Sequence, residues 1–258
     1  MSYNNLTYEI DNRINIISIN RPKKLNALNI ETFSEIDQAI KTSIVNPDVR
    51  LIIITGTGDK AFVAGADIKE FVNFSMAEAY ELSKSGHKIL SETLERCPKP
   101  IIAAINGYAL GGGLEIALAC HIRIASDNSK MGLPELSLGV IPGYGGTQRL
   151  PQIIGKGRAL DMIMTCKMID ADEALAFGLI NYKTSQDQLM IFTKDLAKKI
   201  LSNSSNALKN AIRSVNAHFK EGVNGFEVEI NEFSRCFETK EFIEGTSAFL
   251  NKRKANFN

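Results

Sequence analysis

Two short stretches of the chain, Leu51-Ile-Ile-Ile-Thr55 and Ile101-Ile-Ala-Ala-Ile105, offer water almost no polar face. A half-exposed strand alternates apolar and polar residues, whereas an unbroken run of this kind suits a strand covered on both sides. Each stretch follows a helical pattern. Residues 30–45 place Phe33, Ile36, Ala39, Ile40 and Ile44 at helical spacing, with Asn29 as the cap. Residues 76–96 read as a second helix, closed by Pro98 and Pro100. Strand, loop, helix and strand thus recur as a βαβ pattern, which argues for a sheet with helices packed outside it. Ahead of it, residues 6–10 and 14–19 flank an Asp11-Asn12-Arg13 turn and read as an opening hairpin. From about Gly155 the signals turn almost wholly helical, over residues 158–164, 171–177, 188–201, 207–219, 226–237 and 241–251. The last third is expected to be a helical layer, packed either on its own core or on a neighbouring subunit.

Composition removes several function classes. With 258 residues, 44% of them apolar and 23% charged, the chain is neither disordered nor fibrous. Thirty basic against twenty-nine acidic side chains give a net charge of +1, so no overall field draws in nucleic acid or an anionic membrane. The cluster Lys252-Arg253-Lys254 is either a solvated helix end or a phosphate contact. Cys97, Cys120, Cys166 and Cys236 lack a CxxC spacing, which suits reduced thiols in a reducing compartment. The opening residues show neither an export nor an organelle signal, and no apolar stretch approaches the roughly 20 residues of a membrane span. A cytoplasmic protein, or a mature chain already relieved of its targeting segment, is expected. His87, His121 and His218 share no metal-ligand spacing, so no metal site is expected. The dinucleotide, P-loop and serine-elbow patterns are all missing or incomplete.

Three segments carry chemistry. In the first, Gly111, Gly112 and Gly113 stand between a covered strand and an apolar helix, where bare backbone and the positive helix end suit an oxygen that becomes negative. Glu115 lies one turn in, among Leu114, Ile116, Ala117 and Leu118. An acid in that run is either functional or turned to a wet edge to support the helix start. In the second, Pro134 stiffens the turn that presents Glu135, which is either a solvated turn residue or a partner of Glu115 in one pocket. Two such acids would serve proton transfer if one gives while the other takes. In the third, residues 62–70, the amide of Ala66 is either a second oxyanion donor or part of a capped helix start with Asp67 in its first turn.

These segments resemble the enoyl-CoA hydratase/isomerase (crotonase) superfamily, and within it the short-chain enoyl-CoA hydratases. The resemblance runs through residues 20–28, 64–70, 105–115, 132–151 and 249–257, nearly the whole chain. It implies an α/β fold, a crotonase-like spiral of ββα turns over residues 1–195, with a helical trimerisation region over 196–258 that builds trimers or hexamers. It also implies an oxyanion hole from the amides of Ala66 and Gly112, with Glu115 and Glu135 as the catalytic acids. Both acids are present, as in hydratases, whereas double-bond isomerases commonly keep one; an isomerase or another crotonase-type lyase is the nearest rival. A non-catalytic acyl-CoA-binding or RNA-binding member is the rival from another class. Coenzyme A contacts are implied at Lys24, Leu25, Ala66, Asp67, Ile68 and Lys69, and at Phe249 and Lys252 from a neighbouring subunit. No cofactor, metal, nucleic acid or membrane partner is implied beyond the acyl-CoA itself. Two departures stand out: His121 where relatives usually carry an acid, and Tyr144 where a small residue is common.

Overall fold

The computed structural model describes residues 3–257; Met1, Ser2 and Asn258, at the ends of the two expected regions, lie outside them. The hairpin forms as β1 (Leu6–Asp11) and β2 (Ile14–Ile19), paired antiparallel. The helix α1 (Ile30–Val45) starts at Asn29, whose side chain accepts the Thr32 amide. Phe33, Ile36, Ala39 and Ile40 form its buried face. The chain then enters β3 (Leu51–Gly56), parallel to β2, and turns directly into β4 (Ala61–Ala64), which belongs to a second sheet.

That pair of strands followed by a helix is the repeating unit. After β4 comes α2 (Met76–Lys88), opened by a Ser75–Glu78 capping box. Next come β5 (Ile101–Ile105), β6 (Tyr108–Leu110) and α3 (Gly112–Ala119). The third unit is β7 (Ile122–Ser126), β8 (Lys130–Gly132) and, beyond a 3-10 turn at Glu135–Leu138, α4 (Gly146–Ile154) and α5 (Lys156–Thr165). Two short strands close the sheets, β9 (Ile169–Asp170) before α6 (Ala171–Phe177), and then β10 (Tyr182–Thr184). One sheet has the order β1-β2-β3-β5-β7-β10 and the other β4-β6-β8-β9, so the chain spirals with one strand of each turn in either sheet.

The unbroken apolar runs now have a physical cause. Ile52 and Ile54 of β3 pack into the main core with Ile36 and Ile40 of α1, while Leu51 and Ile53 join a second cluster with Leu189 and Ala197 of α7 (Leu189–Leu201). Both faces of the strand are covered. Each such side chain contributes about 1.5–3 kcal/mol on leaving water.

Three expectations need adjusting. Residues 76–96 do not make one α-helix, because α2 passes at Ile89 into a wider π-helical stretch, Ile89–Glu95. The last third is not purely helical, being interrupted by β9 and β10, strands of only two and three residues. The alternative of a helix start with Asp67 in its first turn comes down to a single 3-10 turn, Ile68–Glu70, which Asp67 precedes while pairing with Arg21 at 3.3 Å.

The closing layer is α8 (Ser205–His218), α9 (Gly225–Cys236) and α10 (Lys240–Leu250). It is tied to the spiral by Arg50, which donates to Ser205 Oγ at 2.8 Å, and by Asn216, which donates to the Glu95 carbonyl at 2.6 Å. The expected boundary between residues 195 and 196 falls inside α7, whose apolar face packs on the sheet through Leu189 and Ala197. Phe226, Ile230, Phe233, Ile243, Phe249 and Leu250 of α9 and α10 are all exposed.

Candidate active site

The glycine triplet opens α3 where this helix crosses β4. A Cβ on Gly113 would lie 2.2 Å from the Val63 carbonyl oxygen, so only glycine lets the two backbones approach this closely. Gly111 has φ of +51°, and a Cβ there would sit 2.6 Å from Oε1 of Glu135. The triplet therefore seats the second acid against the start of the helix that carries the first.

Around this point lies a cavity of about 260 Å³, lined by Ala66, Gly111, Gly112, Glu115, Glu135 and Tyr144, with Leu82, Leu110, Leu138 and Val140 supplying apolar wall. As the first residue of α3, Gly112 has an amide with no acceptor inside the helix. Ala66 forms a parallel bridge with Leu28 in which the hydrogen bonds run from Leu28 N to Gly65 O and from Asp67 N to Leu28 O. That alternation leaves the Ala66 amide directed away from Leu28, without a partner among the described residues. The structure thus brings two unpaired amides and two carboxyl groups to one cavity.

Glu115 is 1% exposed. Its Oε1 accepts the amides of Tyr144 at 2.8 Å and Gly146 at 2.7 Å, and no other hydrogen bond from the described residues falls on its carboxyl, so Oε2 is left for a ligand. Burial pushes the Glu115 carboxyl up to about 7, with the Glu135 charge acting the same way and the two amides and Arg149 opposing. Burial also raises Glu135, against the pull of its own backbone amide. Oε2 of Glu135 is buried with no partner among the described residues, a costly state for an ionised oxygen and a cheaper one for a group that shares a proton. Neither acid is a solvated surface group.

Tyr144 stands where the 260 Å³ cavity meets a second one of about 590 Å³ under α1 and α2, and it lines both. Its ring stacks on Phe33 with centroids 5.0 Å apart. Burial, together with the charges of Glu115 and Glu70, pushes its hydroxyl up to about 12. His121 lies outside the cavity. Its Nδ1 accepts the Ile101 amide at 2.9 Å, so the proton is on Nε2, which lies 3.2 Å from the Glu95 carbonyl. Burial lowers its pKa, and it serves as a neutral tie between a strand edge and a helix end.

Lys24 ends a 3-10 turn at Pro22–Lys24, and Leu25 follows in the left-handed region. Leu25 O accepts the Ala64 amide at 3.1 Å, which laces this strip to the Ala66 segment. Ile68 lines the smaller cavity, Asp67 the larger one, and Lys69 shares the 3-10 turn between them. Phe249, near the end of α10, and Lys252, two residues past it, are exposed and line neither cavity of their own chain. Among the described residues, no group of three or more His, Cys, Asp or Glu side chains could hold a metal. No helix among them is long and apolar enough to cross a membrane.

The family model for enoyl-CoA hydratase/isomerase matches residues 9–258. The chain belongs to this family. It is 43% identical over 258 residues to the crotonyl-CoA hydratase of Syntrophomonas wolfei, covering all of this chain and 99% of the relative. It is 42% identical over 255 residues to the short-chain-enoyl-CoA hydratase of Clostridium acetobutylicum, covering 98% and 97%. Among solved structures, an enoyl-CoA hydratase of Geobacillus kaustophilus superposes with a TM-score of 0.95 at 33% identity, over all of this chain and 98% of that one. The spiral of ββα turns is therefore the crotonase fold.

The loop that holds Glu115 was not visible in the sequence. Its donors are the amides of Tyr144 and Gly146, and a backbone amide leaves no mark on residue type. The pair Gly145-Gly146, next to a residue unusual for its place, was the one available signal.

Proposed function

We propose that the protein is an enoyl-CoA hydratase, adding water reversibly and syn across a trans-2-enoyl-CoA to give a 3-hydroxyacyl-CoA, or removing it as a 3-hydroxybutyryl-CoA dehydratase. The observation that carries this reading is the pairing, in one 260 Å³ cavity, of two acids raised by burial with two unpaired amides.

Ala66 N–H and Gly112 N–H donate to the thioester oxygen and bind it more strongly as it becomes an enolate, which lowers the barrier. Water sits between the two carboxyls. The ionised one, chiefly Glu115, takes a proton from the water as its oxygen bonds to C3. The protonated one, chiefly Glu135, gives a proton to C2 as the enolate collapses, and both new bonds form on one face. Because the acids share protons, the apparent pKa values belong to the pair. Atoms and charges balance with no other reagent, so the proposed reaction needs no cofactor beyond the coenzyme A of the substrate.

Coenzyme A is proposed to run past Lys24, Leu25, Asp67, Ile68 and Lys69, with Phe249 and Lys252 contributed by a neighbouring subunit of a trimer or hexamer. An ammonium suits its phosphates as a point charge. The proposed setting is cytoplasmic fatty-acid oxidation or a butyrate-type reductive route, and the four free thiols fit a reducing compartment.

The test is hydration of crotonyl-CoA, followed by loss of enoyl-thioester absorbance. Glu115→Gln and Glu135→Gln are each expected to lower kcat by about 10²–10⁴ with little change in KM. Near-native hydration in either variant removes the two-acid mechanism. Isomerisation of a 3-enoyl-CoA without hydration, surviving loss of one acid, would favour the isomerase.

A further inference from the structure

The loop that cradles Glu115 is held from behind by a charged group with no place in the mechanism above. Arg149 belongs to the first turn of α4 and is 7% exposed. Its Nη1 donates to the Tyr144 carbonyl at 3.0 Å. Nη2 donates to Ser91 Oγ at 2.8 Å and to Glu95 Oε2 at 2.8 Å, and Nε reaches the same carboxylate oxygen at 3.3 Å. Ser91 and Glu95 both lie on the π-helical stretch that interrupts the expected long helix, a kind of irregularity that often marks functional sites.

Tyr144 is thus gripped at both ends of its backbone: its amide holds Glu115 and its carbonyl is held by Arg149. A Cβ on Gly145 would lie 2.2 Å from Arg149 Nη1, so the bare backbone at that residue admits the guanidinium. The Glu95 carbonyl in turn accepts Asn216 of α8 and lies 3.2 Å from His121 Nε2. A continuous set of hydrogen bonds leads from the closing helical layer, through Glu95, Arg149 and Tyr144, to the carboxyl of Glu115.

We propose that Arg149 is a positioning residue: anchored by Glu95 and Ser91, it fixes the loop whose Tyr144 and Gly146 amides hold Glu115 Oε1 and so aims Oε2 at the reacting water. This rests on the assignment of Glu115 to hydration. A planar fork reaching three partners at once cannot be replaced by a point charge, so lysine is a poor substitute.

The charges around this network fix the signs of its test. Glu135, Tyr144 and Arg149 surround Glu115. Arg149 in turn is faced by Glu95 on the π-helical stretch and His87 on α2, while Arg96, Arg213 and Lys220 line the cavity behind it. The Arg149 cation lowers the Glu115 pKa, as do the two amides. Arg149→Gln removes the charge and loosens the amides, so the apparent pKa of kcat/KM moves up. Glu95→Gln keeps an acceptor for the guanidinium while exposing its full charge, so the same pKa moves down.

The experiment measures kcat, KM and the pH profile for crotonyl-CoA in the native protein, Arg149→Gln, Arg149→Lys and Glu95→Gln, with thermal melts to confirm folding. A loop displaced by about 1 Å costs on the order of 10²-fold, so Arg149→Gln is expected to lose about 10–100-fold in kcat with KM within about threefold. Arg149→Lys should restore only part of this, and the two neutral variants should shift the pH profile in opposite directions. A folded Arg149→Gln with native kcat and an unmoved profile overturns the proposal. Should that variant fail to fold, an unmoved profile in Glu95→Gln does the same. If the native protein does not hydrate crotonyl-CoA, the assigned function fails and this inference fails with it; if it does and these variants match it, this inference alone fails.

Discussion

At the scale of single residues, Glu115 is where burial and chemistry meet. Its carboxyl is raised from 4.5 to about 7, so the folded state binds its proton more tightly than the unfolded state does. The associated stability is complete below about pH 4.5 and is lost as pH rises through 7. Glutamine keeps an Oε1 for the Tyr144 and Gly146 amides but cannot ionise. Glu115→Gln is therefore expected to melt close to the native protein at pH 5 and clearly above it at pH 8. The shift sets an upper bound of about 3 kcal/mol on this gain. Denaturant melts at the two pH values check it, and a native protein as stable as the variant at pH 8 would contradict an acid buried at such cost. This cost is also why the residue was legible. An acid inside an apolar helix is conspicuous by type, as is an acid after a stiffening proline, and the cavity contains both. The groups that control Glu115 were not legible, because Tyr144 and Gly146 act through amides and Arg149 looks like any charged residue until its guanidinium is placed.

Among the elements, the helices and covered strands with several apolar positions were readable, and the strands of two to four residues were not. The apolar periodicity of α1 and of α7 to α10 extends over several turns, and the covered strands β3 and β5 declare themselves by lacking polar faces. The strands β4, β6, β8 and β9 have two to four residues each, too few for alternation to register, yet they build the second sheet on which the cavity opens. In the proposed mechanism α3 acts at two points, through the Glu115 carboxyl and through its first amide, the only one of its amides that faces the reacting oxygen. Proline is well tolerated as the first residue of a helix and has no N–H to give. Gly112→Pro is therefore expected to keep the fold, checked by circular dichroism, while lowering kcat on crotonyl-CoA by about 10²–10³, the usual effect of losing one oxyanion donor. A folded variant with native kcat would remove the Gly112 amide from the mechanism.

Across the whole molecule, the closing helical layer leaves several of its largest apolar side chains in water. Phe226, Ile230 and Phe233 on α9 and Phe249 and Leu250 on α10 are between 61% and 83% exposed, large apolar side chains that an assembly would cover. The proposed trimer covers this face and carries Phe249 and Lys252 to a neighbour's coenzyme A, making substrate affinity depend on assembly. Two variants separate the effects. Ile230→Asp with Phe233→Asp places charge in the apolar face, and it is expected to sediment as a monomer with KM for crotonyl-CoA raised at least about tenfold. Lys252→Ala should leave sedimentation unchanged, since this residue is exposed and joins no ion pair among the described residues. It should raise KM by about threefold to tenfold through loss of one charge-assisted contact to phosphate. That penalty should shrink as ionic strength rises, because salt screens the attraction of Lys252 for phosphate in the native protein. A native chain that is monomeric at assay concentrations and still saturates normally with crotonyl-CoA would show that each site is complete within one subunit.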